Sequence, residues 1–147
     1  MKYTVRYAHL AQVFVKLGQA LKEGDIIGRM GNTGQSTGAH LHLDCVEGRQ
    51  TKEYTLQEIE AGKYKPSIKQ LNHFIDDHLF GAPFRITTYY GEPDYQKQFG
   101  KVHHGYDIVP VSGDKLIKWN RSKVGVVSAI LQNHPGYGNC VYITFEA

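Results

Sequence analysis

The sequence predicts a mainly β domain, an antiparallel sheet folded into a barrel or sandwich, interrupted by one short helical connector. Three observations carry this. Residues 3–17 alternate apolar and polar through Tyr3, Val5 and Tyr7, then reach Ala8-His9-Leu10 and a Val13-Phe14-Val15 run, as a half-buried strand does. Gly18, Gly24, Gly28, Gly31, Gly34 and Gly38 then punctuate the chain, with Ala20-Leu21 and Ile26-Ile27 as short apolar pieces between turns. The 16 glycines and 10 tyrosines, set among many β-branched residues, favour strands and turns over helices.

The remaining elements follow in order. Composition turns polar at Glu47, and Thr55-Leu56-Gln57-Glu58 has the form of a capping box ahead of a short helix ending near Gly62. Ser67-Ile68-Lys69-Gln70 repeats that signature. Ile68, Leu71, Ile75 and Leu79 recur at helical spacing, which predicts an amphipathic helix of about three turns stopped by Gly81 and Pro83. From Phe84 the β character returns through Arg85–Tyr90, a turn at Gly91-Glu92-Pro93, a polar loop to Lys101, and Val102-His103-His104-Gly105-Tyr106-Asp107-Ile108-Val109-Pro110. Further strands are expected over 115–118, 124–131 and 140–145, with residues 134–139 as the loop before the last. The 147 residues thus read as one domain, with β-rich parts 1–46 and 84–147 joined by a helical connector, 47–83.

Composition excludes several classes. A net charge of +3 with dispersed lysines does not describe a dedicated nucleic-acid binder. No apolar run approaches the ~20 residues of a membrane span, and the residues after Met1 lack the apolar stretch of a secretory leader. Cys45 and Cys140 form neither a disulfide framework nor a paired-cysteine metal motif, and their apolar strand contexts predict buried free thiols.

The chemistry concentrates in two places. In Gly34-Gln35-Ser36-Thr37-Gly38-Ala39-His40-Leu41-His42-Leu43-Asp44 a glycine-rich turn runs into a strand, so His40 and His42 share one face while Leu41 and Leu43 point into a core. Such a pair suits either a metal or acid–base site or an ordinary solvated strand face. The second place is His103 and Asp107, four residues apart, where a bend at Gly105 would let both reach one point. Two histidines and a carboxylate from separate segments form a ligand set typical of catalytic zinc, with a fourth position left for water. His73 and His78 are expected on the polar side of the helix, His104 as an exposed bystander and His134 in a loop.

Together these motifs, with Tyr7-Ala8-His9-Leu10, Gly31-Asn32-Thr33-Gly34, Gly24-Asp25-Ile26-Ile27-Gly28 and Gly136-Tyr137-Gly138-Asn139, resemble the lysostaphin/LytM-type zinc metallopeptidases over residues 1–46 and 84–147. The resemblance implies that family's antiparallel barrel–sandwich fold and a zinc-dependent endopeptidase, which hydrolyses peptide cross-links of bacterial peptidoglycan through a metal-activated water. It implies Zn²⁺ held by His42, His103 and Asp107, with His40 and His9 as a catalytic pair of exchangeable roles and Tyr95 as an assisting tyrosine. No His-Glu-x-x-His helix offers a glutamate base, so histidine would move the protons. The partner would be a peptidoglycan peptide, with no nucleic acid and no membrane span. The setting would be the bacterial cell wall, reached as a phage virion component or by release on lysis. Two other classes stay open: a non-catalytic wall- or protein-binding module of the same fold, and a sugar-phosphotransferase carrier domain, which would not need Asp107.

The sequence departs from the family in having Ala39 for proline and Leu43 for phenylalanine, in a longer stretch over Gly113–Gly125, and in order. The His-x-Gly-x-Asp segment here follows the His-x-His segment instead of preceding it. Placing 84–147 ahead of 1–46 restores the family order, so the sequence resembles a circular permutation opened at a hairpin tip. Residues 141–145 should then pair antiparallel with 2–7, within a monomer or between the chains of a swapped dimer.

Overall fold

The computed structural model describes residues 1–34, 38–99, 103–111 and 115–147. Gln35-Ser36-Thr37 of the glycine-rich turn, Val102, and the start of the long stretch at Gly113 lie outside the described residues. The strands are β1 (Lys2–Val13), β2 (Ala20–Leu21), β3 (Ile26–Met30), β4 (Leu41–Glu47), β5 (Phe84–Thr88), β6 (Tyr106–Pro110), β7 (Leu116–Lys118), β8 (Gly125–His134) and β9 (Gly138–Glu146). The helices are α1 (Leu56–Glu60), α2 (Ile68–Asn72) and α3 (Pro93–Phe99). Among the described residues all strand pairings are antiparallel, in the order β2-β8-β9-β1-β4-β6-β5, with β3 bridging β1 and β7. The fold is mainly antiparallel β with few short helices.

β1 is the centre of the sheet, buried continuously from Thr4 to Leu10. Its odd-numbered side chains Val5 and Tyr7 enter a core with Leu43, Cys45, Val141, Ile143 and Phe145. Ahead of the bulge at His9, its even-numbered side chains Thr4, Arg6 and Ala8 face the other side, where Ala8 packs with Ala129, Cys140 and Tyr142 and the layer beyond is polar. Thr4 donates to the Gly48 carbonyl at 2.8 Å, Ser128 donates to the Gln50 carbonyl at 2.9 Å, and His134 meets Glu53 at 2.8 Å. The polar start of the connector, residues 48–53, therefore caps that face and supplies hydrogen bonds to buried hydroxyls that would otherwise be costly. His134 ends β8 and is tied to this cap; it is not a loop residue.

β9 and β1 are ladder partners within the chain, from Lys2↔Glu146 to Tyr7↔Val141. Met1 and Ala147 flank the ladder's open end, where the Ala147 amide donates to the Met1 carbonyl at 3.0 Å. Cys45 and Cys140 are free thiols, both buried.

The connector departs from expectation in one respect. α1 forms with the full Thr55–Glu58 capping box and stops ahead of Gly62 at φ 77°. α2 starts at Ser67, whose hydroxyl accepts from the Gln70 amide, yet it ends after five residues. The three-turn helix is not formed. Phe74 leaves the helical path to bury completely between Trp119 and Phe145, at ring centroids 5.4 and 5.3 Å, and its carbonyl is taken by the Asn120 amide. The Asp76 carboxylate accepts from the His78 amide, a local bond that competes with helix. Leu71 and Leu79 reach the core as expected, joined by Phe74 and Phe80, whereas Ile68 is 41% exposed. The polar loop after Gly91 is also helical in its middle. Pro93 opens α3, since a proline at the first helical position gives up an amide that has no partner there anyway.

Phe74→Ala should cost about 3–5 kcal/mol in chemical denaturation, as for other fully buried aromatics, whereas Ile68→Ala should stay within about 0.5 kcal/mol.

Candidate metal centre

Four segments meet at the upper end of β1. β4 places Leu41 and Leu43 in the core, both fully buried, so the strand's other face carries His42 and, at the bridge just before it, His40. β4 pairs with β6 in the register His42↔Asp107. His103 comes from the loop before β6, and His9 from β1, where Ala8 stands opposite His42. One donor atom each from His42, His103 and Asp107 lie within 4.8 Å of one another. His42 Nδ1 is 3.0 Å and His103 Nε2 is 3.4 Å from the same oxygen, Asp107 Oδ1.

The convergence depends on Gly105. A Cβ there would stand 2.5 Å from the Leu43 carbonyl oxygen and 3.0 Å from His42 Cε1, so only glycine lets this loop lie against β4. His9 depends on two further glycines. It sits at a bulge in the β1–β9 ladder with φ 65°, a left-handed conformation rare for a non-glycine residue. The chain at Gly34 (φ 75°) and Gly138 (φ 64°) crosses beneath it so closely that a side chain on either would strike the other loop. Thr33 and Asn139 complete the brace: both donate to the Leu10 carbonyl, and Thr33 Oγ1 also accepts from the Asn139 amide.

Backbone carbonyls orient three of the four imidazoles. Nδ1 of His9 lies 2.6 Å from the Thr33 carbonyl, that of His40 lies 2.8 Å from Gly38, and that of His103 lies 3.1 Å from Tyr89. A carbonyl only accepts, so Nδ1 carries the proton in each and the Nε2 lone pair is left for the site. His42 is turned the other way: its Nε2 bonds Asp44 Oδ2 at 2.7 Å, so Nδ1 faces Asp107. Nε2 of His40 is 3.6 Å from Asp107 Oδ1, and the His9 and His40 ring centroids are 4.9 Å apart. The structure thus brings His9, His40, His42, His103 and Asp107 into one cluster. Tyr95, on α3, joins its edge with its ring centroid 4.4 Å from that of His103.

Sequence reasoning missed Asp44 and Arg6. The signal for Asp44 was present, because His40, His42 and Asp44 continue one period-two face. Arg6 stands opposite Asp44 in the β1–β4 register and bonds both its carboxylate oxygens. His104 is not an exposed bystander but half-buried, with ring centroids of Tyr64 and Tyr90 at 5.5 and 5.9 Å; its bulkier neighbours come from the connector and from the turn after β5. His78 is exposed, as is His73.

An open cleft of about 290 Å³ adjoins the cluster, lined by Gly38, Ala39, His40, Thr87, Thr88, Asp107 and Val109. Its walls are short side chains, so an extended backbone can lie close to His40 and Asp107. A hollow of about 330 Å³ elsewhere, between Lys2, Arg49, Val126 and Phe145, contains none of these residues.

The site's charges are strongly coupled. Burial opposes a charged His42, but the hydrogen bonds it donates to Asp107 and Asp44 and their negative charges outweigh it and raise the imidazole to about 9. Burial likewise opposes a charged Asp44, yet Arg6 and His42 hold it down at about 2. Asp107 is held well below the carboxylate range by His103 and His42, against its own desolvation. His9 moves the opposite way, lowered by desolvation, and is neutral at pH 7. Without metal, a protonated His42 is therefore clamped between two carboxylates.

Three outcomes follow from this geometry. A metal must displace the His42 proton, so affinity for a divalent ion should rise about tenfold per pH unit between pH 6.5 and 8; calorimetric titration at several pH values checks the slope. The raised His42 value also means that the metal-free protein gains its full contribution below pH 6.5 and loses it as pH climbs through about 9. Gly105→Ala should destabilise the fold by about 1–3 kcal/mol and weaken metal uptake together, because the added methyl pushes the His103–Asp107 loop off β4.

Comparison with known proteins finds partial matches. The family model for Peptidase family M23 matches residues 1–54. The peptidoglycan DD-endopeptidase ShyA of Vibrio cholerae serotype O1 is 48% identical over 44 residues, 30% of this chain and 10% of that protein. An uncharacterized metalloprotease of Haemophilus influenzae is 42% identical over 57 residues, 38% of this chain and 12% of the relative. Morphogenesis protein 1 of Bacillus phage B103 is 40% identical over 50 residues, 31% of this chain and 14% of the relative. The chain spans about a tenth of the length of the curated relatives it matches first. No solved structure matches it. The matched segment contains His9, His40 and His42 on the strands that build the cluster, and over residues 1–54 the chain is similar to Peptidase family M23.

Proposed function

We propose that the chain is a zinc-dependent endopeptidase that hydrolyses peptide cross-links of bacterial peptidoglycan, with His42, His103 and Asp107 as metal ligands. The observation that carries this reading is the convergence of those three donors beside an open cleft that also holds His40. The donor set fits a metal: the second ring nitrogen of each histidine ligand is already committed, to Asp44 and to the Tyr89 carbonyl, leaving one nitrogen each and a carboxylate oxygen for the ion. A zinc ion held there supplies a Lewis acid that polarises the scissile carbonyl and lowers the pKa of water. The names of the Vibrio relatives support the substrate class.

The chain's own residues do the rest. His40 Nε2 faces the ligand carboxylate with a lone pair able to take a proton, while its Nδ1–H is anchored on Gly38. His9, neutral and anchored on Thr33, offers a second Nε2 from the opposite strand. One imidazole accepts a proton and the other returns one to the leaving amine; the geometry supports either division. Tyr95 keeps its phenol protonated, since burial and Asp107 raise its pKa, and serves as a donor at the rim.

The reading includes one domain over residues 1–147, acting on the cell wall as a monomer. The similarity to a phage morphogenesis protein supports a virion or lysis-released setting. It also includes the circular permutation, supported by the β9–β1 ladder at whose open end Met1 and Ala147 meet.

Purified protein should carry about one zinc per chain, as one three-residue donor set predicts. His42→Ala and Asp107→Asn should lose it. His40→Ala and His9→Ala should keep zinc and lose about 10²–10⁴-fold in activity on cross-linked peptidoglycan, the usual worth of general acid–base catalysis. His73→Ala and His78→Ala should change little. Full activity in both His40→Ala and His9→Ala would refute the assigned pair. For the permutation, a chain opened between Gly62 and Lys63 and joined from Glu146 to Lys2 through Asn-Gly should fold with an unchanged circular dichroism spectrum, because a two-residue turn suits that ladder end; a chain that no longer folds would count against it.

A further inference from the structure

We propose that Arg6 and Asp44 form a positioning pair that sets the orientation and tautomer of His42, so that this histidine meets the metal through Nδ1. The inference rests on the metal-site reading above and assigns a role to two residues outside the ligand set. The backbone fixes His9, His40 and His103 through carbonyls, which no substitution removes. His42 is instead held at Nε2 by a side chain, that of Asp44. Asp107 is itself an acceptor 3.0 Å from His42 Nδ1, and left alone it would draw the imidazole proton onto the nitrogen that must bind the metal. Asp44, at 2.7 Å from Nε2, holds the proton on the opposite side.

Arg6 makes that carboxylate available. Its Nε lies 3.1 and 3.0 Å from the two Asp44 oxygens and its Nη2 also bonds Oδ2, the oxygen that His42 uses. The guanidinium carbon lies over the Tyr137 ring, 3.9 Å from its centroid, and the pair's side chains are only 10% and 5% exposed. The cation balances a buried anion and fixes the plane of its oxygens, which a buried carboxylate could not hold alone. The three residues lie in one line because Arg6 faces Asp44 across β1 and β4, two positions from Ala8 facing His42. A pair present for stability alone would need no shared oxygen with a metal ligand.

The test uses the full chain and two probes, Co²⁺ affinity by visible absorption and the ¹⁵N shifts of His42 in the zinc-loaded protein. In the wild type the ¹⁵N spectrum should show Nδ1 on the metal and Nε2 protonated; the reverse would overturn the proposal. Asp44→Asn should weaken Co²⁺ binding about 10–100-fold, the usual cost of losing such a partner, and Arg6→Lys, which keeps the charge but not the two-point grip, should weaken it less. Phe74→Ala is the control for destabilisation without contact with the site, and it should leave the affinity within about twofold at a temperature where it is folded. Affinity unchanged in Asp44→Asn, or reduced no more than in Phe74→Ala, would overturn the positioning role. If Asp44→Asn does not fold, unchanged affinity in Arg6→Lys does the same. Failure of the metal-site reading is distinguishable, because wild type and His42→Ala would then bind Co²⁺ equally.

Discussion

The antiparallel register of β1 against β4 is the constraint on which the site depends. It sets Ala8 opposite His42 and Arg6 opposite Asp44, and a slip by one residue would carry every one of these side chains to the other face. The register is held by the apolar face. Val5 and Tyr7 on β1, with Leu41, Leu43 and Cys45 on β4, are all buried, and exposing that set would cost far more than the polar face could recover. The hydrophobic core thus fixes the chemistry indirectly, by refusing every alignment of the strands but one.

Around that register the site is assembled by close backbone approach. Gly105 lets one loop touch β4, and the Gly34–Gly138 crossing holds the bulge that aims His9. The left-handed backbone of His9 is of the kind that persists only where surroundings over-determine it. Here they do: its amide donates to the Tyr137 carbonyl, its ring donates to Thr33, and its neighbour Leu10 accepts from Thr33 and Asn139. Of the glycines that punctuate residues 18–38, Gly28, Gly31 and Gly34 are points where two segments of chain pass without room for a side chain, whereas Gly18, Gly24 and Gly38 face open space.

Much of this was legible in the sequence, for physical reasons. The His40–Leu41–His42–Leu43 alternation reports which face is buried, and β4 obeys it. The bend at Gly105 and the pairing of residues 2–7 with 141–145 were also readable, the first from residue types and the second from motif order. What was not legible arose from tertiary competition. Ile68, Leu71, Ile75 and Leu79 have helical spacing, but burying Phe74 against Trp119 outweighs two further turns of a marginal helix. α3 was hidden in a polar stretch with no apolar period. Arg6 could not be found from spacing because its role exists only across a strand pair.

The position of β1 carries a consequence for how the molecule comes to exist. The strand at the centre of the sheet pairs with β4 some 40 residues on, and with β9 across most of the described chain, Lys2 against Glu146. Such contacts close very large loops before they stabilise anything, so high contact order and slow, late folding are built into this topology. A ribosome releases β1 well before β9, its second neighbour. Until β9 emerges, one full edge of this central strand stands open to pairing with other chains.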